Sequence, residues 1–503
     1  MTKCKRRVLT RLVLLLLLTV VPRAVMAREP EPPIYVVLWF DTEDYILPQD
    51  DDAAKRLAQM LTDLGVRATF KIVGEKARVL AQRGRSDVIS AIAGHDIGYH
   101  SNTHSQQPTI AVYLQNAGWE DGRAEFYRRE AQGARDVARI FGKTPVAYGQ
   151  PGSAWAPQAY PALRDMGIGM YLDEADHVGI DDQPFYYGGL LNVFKMKSNL
   201  VRMDLKGGTS LADGKAAFAK ASERLRARGG GTISIYYHPN EWVHAEFWDA
   251  VNFSHGANPP RAAWKQPRLR PTTETEQAFA DFDQWVRFMK AQPGVRFVTA
   301  TDLISIYADR SRERDFVPAE VIGIARSMRD EITFQTHDGY AVSAADAFGL
   351  LTSALTHFIG SGKWSPTERI APLDGPMRTY APAVGARSST FAWVAFARAV
   401  QDTADACRTL HHLPAEIWIG AESLSPADYL ATLSQVVEDI AASGRPPADV
   451  VRRTGHFTAD RYVAEDTPAL WSWPIFPDGF HAPKIMELAR LQAWTLKPAV
   501  LAK

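Results

Sequence analysis

The stretch IYVVLWFDTED, residues 34–44, decides the fold. Its first seven residues are β-branched or aromatic almost throughout, the composition of a strand, and they stop abruptly at Asp41, Thr42, Glu43 and Asp44. Three carboxylates therefore stand where a strand ends. Outward from this segment the pattern repeats to about residue 310. The runs ATFKIV (68–73), GIGMYL (167–172), TISIYY (232–237) and VRFVTA (295–300) alternate with amphipathic helical stretches such as DDAAKRLAQMLTDLG and TEQAFADFDQWVRFMKAQPG. Strand, helix and strand in succession predict parallel strands with helices outside them, as a barrel or a doubly wound sheet. In both, chemistry collects at the carboxyl ends of the strands.

Two further segments supply groups for that edge. GHDIGYHSNTHS (94–105) sets His100 and His104 four apart among small polar residues, and TISIYY ends in HPNEW, which brings His238 to a strand end. A strand period of two places Glu43 on the face of Asp41, while a turn directly after the strand favours Asp44, so both carboxylates stand as candidates.

The rest of the composition narrows the classes. Lys plus Arg equals Asp plus Glu at 57 each in 503 residues, so no global field draws the chain to nucleic acid. The length predicts more than one domain. MTKCKRR, the apolar run 12–21 and the small residue Ala27 read as a secretory signal peptide over residues 1–27, with no stable membrane span after its cleavage and a periplasmic or extracellular destination. Cys407 is then the single cysteine of the mature chain, which forms no internal disulfide, and it is expected as a buried small hydrophobe.

FDTED, LGVRATFKIVG, GHDIGYHSNTHS, AYGQPGSAW and SIYYHPNEW, in that order over roughly residues 33–310, resemble the NodB-homology polysaccharide deacetylases, carbohydrate esterase family 4. The resemblance implies a distorted (β/α) barrel of the NodB type, closed by GVRFVTATDL, and a hydrolase removing acetyl groups, N-linked ones first, from a polysaccharide or cell-wall glycan. It implies a divalent metal, usually Zn2+, held by His100, His104 and either Glu43 or Asp44. Asp41 becomes the catalytic base, His238 the general acid and Gly152 a backbone donor to the oxyanion. Such a metal, bound by three protein ligands, lowers the pKa of its water and polarises the acetyl carbonyl.

The chain departs from the family pattern in three places. Asp41 is followed by Thr42 rather than a second aspartate. The arginine expected two places before Pro151 is Gly149, leaving Gln150 or another basic residue to hold the base. The fourth motif is only suggested by YLDEADHV, where Asp173 or Asp176 would orient a histidine. The alternatives are an O-acetyl esterase and a catalytically silent glycan-binding protein. Between His238 and the last barrel helix, Trp242, Trp248 and Trp264 are candidates to stack on sugar faces.

Residues 28–310 are thus expected as the deacetylase domain and 311–503 as a smaller, mainly helical duplicated domain. The duplication pairs VSAADAFGLLTSALTHFIGSGKW from Val342 with LSPADYLATLSQVVEDIAASGRP from Leu424, with Ser343 and Ser425, and Gly362 and Gly444, each 82 residues apart. Each unit reads as a short β segment, a Ser N-cap, an amphipathic helix and a Ser-Gly stop, with VPAEVIGIA and LPAEIWIGA as the β parts. The repeats loosely resemble pseudomurein-binding repeats, which implies glycan or cell-wall binding; a lid or dimerisation role is the other expectation.

Overall fold

In the computed structural model, which describes residues 31–382 and 387–501, the strands are β1 (Ile34–Thr42), β2 (Thr69–Ile72), β3 (Asp96–Tyr99), β4 (Ala147–Tyr148), β5 (Met170–Leu172), β6 (Phe185–Tyr187), β7 (Leu190–Val193), β8 (Gly231–Tyr237) and β9 (Val295–Val298). The leader expected over residues 1–27 lies outside the described residues. β1 is the spine of the sheet. It pairs in parallel along its length with β8, and on its other edge with β9 at Ile34–Val37 and with β2 at Trp39–Thr42. From β2 the sheet continues through β3, β4, β5 and β7, all parallel, then turns antiparallel at β6 and at Lys497–Pro498. This is the expected distorted (β/α) barrel, followed by a helical region.

The pleat of β1 explains how it serves two layers. Val36, Leu38 and Phe40 join the outer core beneath the helices, while Val37 and Trp39 join the interior cluster. Residues 41 and 43 continue the interior face. Outside, the helix Pro48–Asp63 buries Ala53, Ala54, Leu57, Ala58 and Leu61, a stripe at helical spacing that seals one flank of the sheet. Among the described residues no helix is long and apolar enough to cross a membrane.

Helices Pro318–Met328, Ala344–Ser361, Trp393–Leu410 and Pro426–Ser443 surround a second core that includes Phe348, Phe396 and Leu430. The duplication is visible at its caps. Ser343 and Ser425 accept the backbone N–H groups of Asp346 and Asp428, and Gly362 and Gly444 close their helices at φ +71°. The two expected β parts differ. LPAEIWIGA contains the strand Ile417–Ile419 with Trp418 facing out, whereas VPAEVIGIA is the helix Pro318–Met328. Pro318 begins that helix and Glu320 reaches back to the Val317 N–H, so a local cap overrides the apolar similarity.

Past residue 456 the chain returns to the barrel. Ala459, Leu470, Trp471, Phe476, Ile485 and Leu496 enter the outer core, and Lys497–Pro498 adds a strand to β6. Buried Lys497 pairs with Asp309, at the end of the barrel segment, and with Asp346 of the first repeat, each at 2.7 Å. The described residues from Pro32 onward form one compact unit.

Candidate active site

The ends of β1, β3 and β8 converge as the register requires. Glu43 Oε2 lies 2.8 Å from His104 Nε2 and 3.4 Å from His100 Nε2, and all three side chains are buried. The facing nitrogens are the Nε2 atoms because each Nδ1 is engaged behind. His100 Nδ1 donates to the Gly149 carbonyl at 2.9 Å, and His104 Nδ1 lies 2.6 Å from Ser105 Oγ. One carboxylate and two imidazoles with oriented rings, their ligand atoms within 4.8 Å of one another, fit a divalent cation. His104 takes φ +57° and Ser101 φ +65°, left-handed conformations uncommon outside glycine, and the tight HSNTH loop imposes them to turn both rings inward.

Of the two carboxylates left open by the sequence, Glu43 joins the histidines and Asp44 does not. Asp44 Oδ1 accepts the Ile46 N–H at 2.7 Å and its Oδ2 faces His244 at 3.1 Å, on the opposite side of the chain. Burial and neighbouring Asp50 push its pKa up to about 8. Glu43 is further fixed by the indole of Trp248, which donates to Oε1 at 3.1 Å. Its buried carboxyl is held well below the usual range because the charges of His104 and His238 outweigh desolvation.

Asp41 sits beside this group, with Oδ1 2.9 Å from Lys71 Nζ and Oδ2 3.7 Å from His238 Nε2. Lys71 fills the place of the missing arginine. It leaves β2 opposite Asp41, crosses the inner face over the Trp39 ring, and bridges Asp41 to Asp173 at 2.8 Å. Two glycines make the furrow it lies in. A Cβ on Gly98 would stand 2.8 Å from Lys71 Cγ, and one on Gly149 would stand 1.9 Å from Lys71 Nζ. Burial lowers the ammonium pKa, but Asp173 and Asp41 more than restore it and raise it. Asp173 thus anchors the lysine rather than a histidine. Gln150 turns its amide to the Gly152 carbonyl instead.

His238 has its own orienting group. Nδ1 lies 2.7 Å from Glu241 Oε1, and Glu241 is held in turn by Arg202 at 2.5 Å. Burial draws the imidazole pKa down, yet Glu43 and Glu241 overcome it and raise it to about 9, while Glu241 falls to about 2. Sequence reasoning missed Glu241, although the His-x-x-Glu spacing of HPNEW is a capping-box signal.

Asp41, Glu43, His100, His104 and His238 line a cavity of about 560 Å³, together with Gly152, Asp173, Tyr236 and Phe247. The three tryptophans expected on its rim are elsewhere. Trp242 and Trp248 are fully buried, and Trp264 packs on Tyr45 and Phe253. The tryptophan that does reach the cavity is Trp473, whose indole donates to Asp249 at 3.0 Å and meets His104 edge-on. No local signal in the sequence connects residue 473 with this site.

Comparison with known proteins follows this geometry. No curated protein matches the chain significantly. Among solved structures, a family 4 acetyl xylan esterase from Clostridium thermocellum in complex with a cobalt ion is 17% identical, covering 54% of this chain and 91% of its own, with a TM-score of 0.31. A family 4 carbohydrate esterase from Streptomyces lividans in complex with acetate is 17% identical over 52% of this chain and 90% of its own, with a TM-score of 0.27. Puue allantoinase is 14% identical over 56% and 93%, with a TM-score of 0.36. The family model described as polysaccharide deacetylase matches residues 28–171, the segment that carries Asp41, Glu43, Lys71, His100 and His104.

Proposed function

We propose that the protein is an exported, divalent-metal-dependent polysaccharide deacetylase that hydrolyses N-acetyl groups on an envelope or extracellular glycan, with Zn2+ as the metal. One observation carries this reading. Asp41 and His238 stand beside the Glu43, His100 and His104 cluster and 3.7 Å from each other, and each is oriented by a partner of opposite charge. Glu43, His100 and His104 would hold the cation, which supplies Lewis acidity to the acetyl carbonyl and acidifies water. Asp41 removes the water proton, and Lys71 keeps its carboxylate pointed into the cavity. Gly152, which lines the cavity, is the candidate backbone donor to the developing oxyanion. His238, its Nδ1 held 2.7 Å from Glu241, donates a proton to the departing amine. That proton favours an amide over an ester, because an amide anion is the poorer leaving group.

Residues 1–27 are proposed as the cleaved leader, and the repeats as a module that holds the enzyme near a glycan surface. Metal content and acetate release decide the catalytic part. The purified full chain should carry about one equivalent of metal and release acetate from at least one substrate in a panel of N-acetylated chito-oligosaccharides and O-acetylated xylo-oligosaccharides. Glu43→Ala should lose the metal and Asp44→Asn should keep it. A metal-free wild type, or metal loss confined to Asp44→Asn, would overturn the assignment. Metal without acetate release across the panel would point to a silent glycan-binding protein.

A further inference from the structure

Residues 469–474 come from the far end of the sequence, yet they form one wall of the active-site cavity. Trp473 is pinned there. Its indole donates to Asp249 at 3.0 Å, its backbone N–H donates to Ser153 Oγ at 3.3 Å, and its ring stands 5.6 Å from that of His104. The residues that follow are tied to both flanking loops. Gln107 donates to the Ile475 carbonyl at 2.9 Å, and the His255 and Gly256 N–H groups donate to the carbonyls of Pro474 and Ile475 at 2.8 and 3.1 Å. Buried Ile475 packs with Tyr45, Trp248 and Phe253. A Cβ on Gly152 would lie 2.4 Å from the Trp473 ring, so not even a methyl group fits between the oxyanion side and this wall.

Across His238 the boundary is low. Phe247, 39% exposed, stands edge-on to the His238 ring at 5.1 Å. It lines both the active-site cavity and a second cleft of about 460 Å³ bordered by Arg202, Asn240, His244 and Arg270. A half-exposed ring between two clefts that carry charged side chains offers an apolar face to a pyranose while leaving its hydroxyls to those polar groups.

Resting on the deacetylase reading above, we propose that the wall at residues 469–474 makes the enzyme end-selective. It removes acetyl from a terminal sugar, whose remaining chain runs over Phe247 into the second cleft, and Trp473 is the specificity-determining residue. Discrimination of this kind works by clash with the wrong substrate: an interior residue would drive its next sugar into Trp473.

The test maps where acetate is lost. The metal-loaded full chain is incubated with fully N-acetylated chitopentaose and with O-acetylated xylopentaose, each labelled at the reducing end, and products are located by tandem mass spectrometry. One terminal residue should be deacetylated at least about tenfold faster than any interior one, a difference of ~1.4 kcal/mol in barrier. Trp473→Ala should raise the interior share about tenfold, and Phe247→Ala should raise KM for the pentamer more than for the acetylated monosaccharide. Equal rates at terminal and interior positions in the wild type would overturn the wall while leaving deacetylation standing. No acetate from any panel substrate would sink the deacetylase reading and this one together. The wild-type map decides even where Trp473→Ala fails to fold.

Discussion

Lys71 and Gly149 act as a pair, since the lysine occupies volume that only a glycine at 149 leaves open. Lys71→Met would leave Asp41 and Asp173 buried side by side with no cation between them. Loss of one partner from such a buried group costs about 3–5 kcal/mol, so the denaturation midpoint should drop. With its base misaligned, the variant should also lose roughly 10²-fold in kcat while keeping its metal. Gly149→Arg alone should destabilise the chain, and Lys71→Ala with Gly149→Arg should recover activity relative to Lys71→Ala. A double variant no better than the single one would show that the guanidinium and the ammonium do not share a role. This exchange explains the limit of sequence reading at the residue scale. His100, His104, His238 and Asp41 sit in contiguous motifs that mark them as candidates, whereas the sequence left Glu43 and Asp44 open. Lys71 was not legible, because its role exists only once β2, β3 and the end of β4 lie side by side.

At the scale of elements, the loop bearing the two histidines hangs from the helix Trp119–Phe141. Glu130 Oε2 accepts both the Tyr99 hydroxyl and the Asn102 N–H at 2.7 Å, and Gly133 lets the strand and loop approach the helix this closely. Burial outweighs those hydrogen bonds and raises the Glu130 pKa to about 7. The native state therefore binds a proton that the unfolded chain, with an ordinary carboxyl, has released. The contribution of this group is complete below about pH 4.5 and is lost as pH rises through about 7. Urea titrations of Glu130→Gln should show a flatter fall in stability between pH 5 and 8, by up to roughly 3 kcal/mol. A slope identical to the wild type would remove Glu130 from the account. Elements themselves were legible in proportion to their length and caps. β1 and β8 were read nearly to the residue, and Ser343, Ser425, Gly362 and Gly444 marked their helices correctly. β4, with two residues, and β6, with three, carry too little pattern to read, and β3 was hidden in a polar loop motif.

At the scale of the molecule, the repeats past residue 310 surround a core of their own, while the tail from Ala459 to Leu496 enters the core of the barrel. A fragment of residues 28–310 retains all the proposed catalytic residues but lacks Trp473, the strand Lys497–Pro498 and the apolar side chains from Ala459 to Leu496 that cover the barrel. It should melt well below the full chain, aggregate through the uncovered surface, and lose activity even on acetylated disaccharides. Size-exclusion chromatography and acetate release check this; a monodisperse fragment with full activity on short oligomers would make the tail dispensable. The tail also sets a clock. Ribosomes add about 5–20 residues per second, so Trp473 follows Asp41 by a delay on the order of tens of seconds. Only in the later part of that interval, once β9 is complete, does the nascent chain carry all its carboxylates and histidines, and one wall of the cavity has still not been made. End selectivity is thus acquired last in the life of each molecule, together with the cover of the barrel, and a premature stop codon near residue 460 would yield a chain with every catalytic group but neither its selecting wall nor its outer cover.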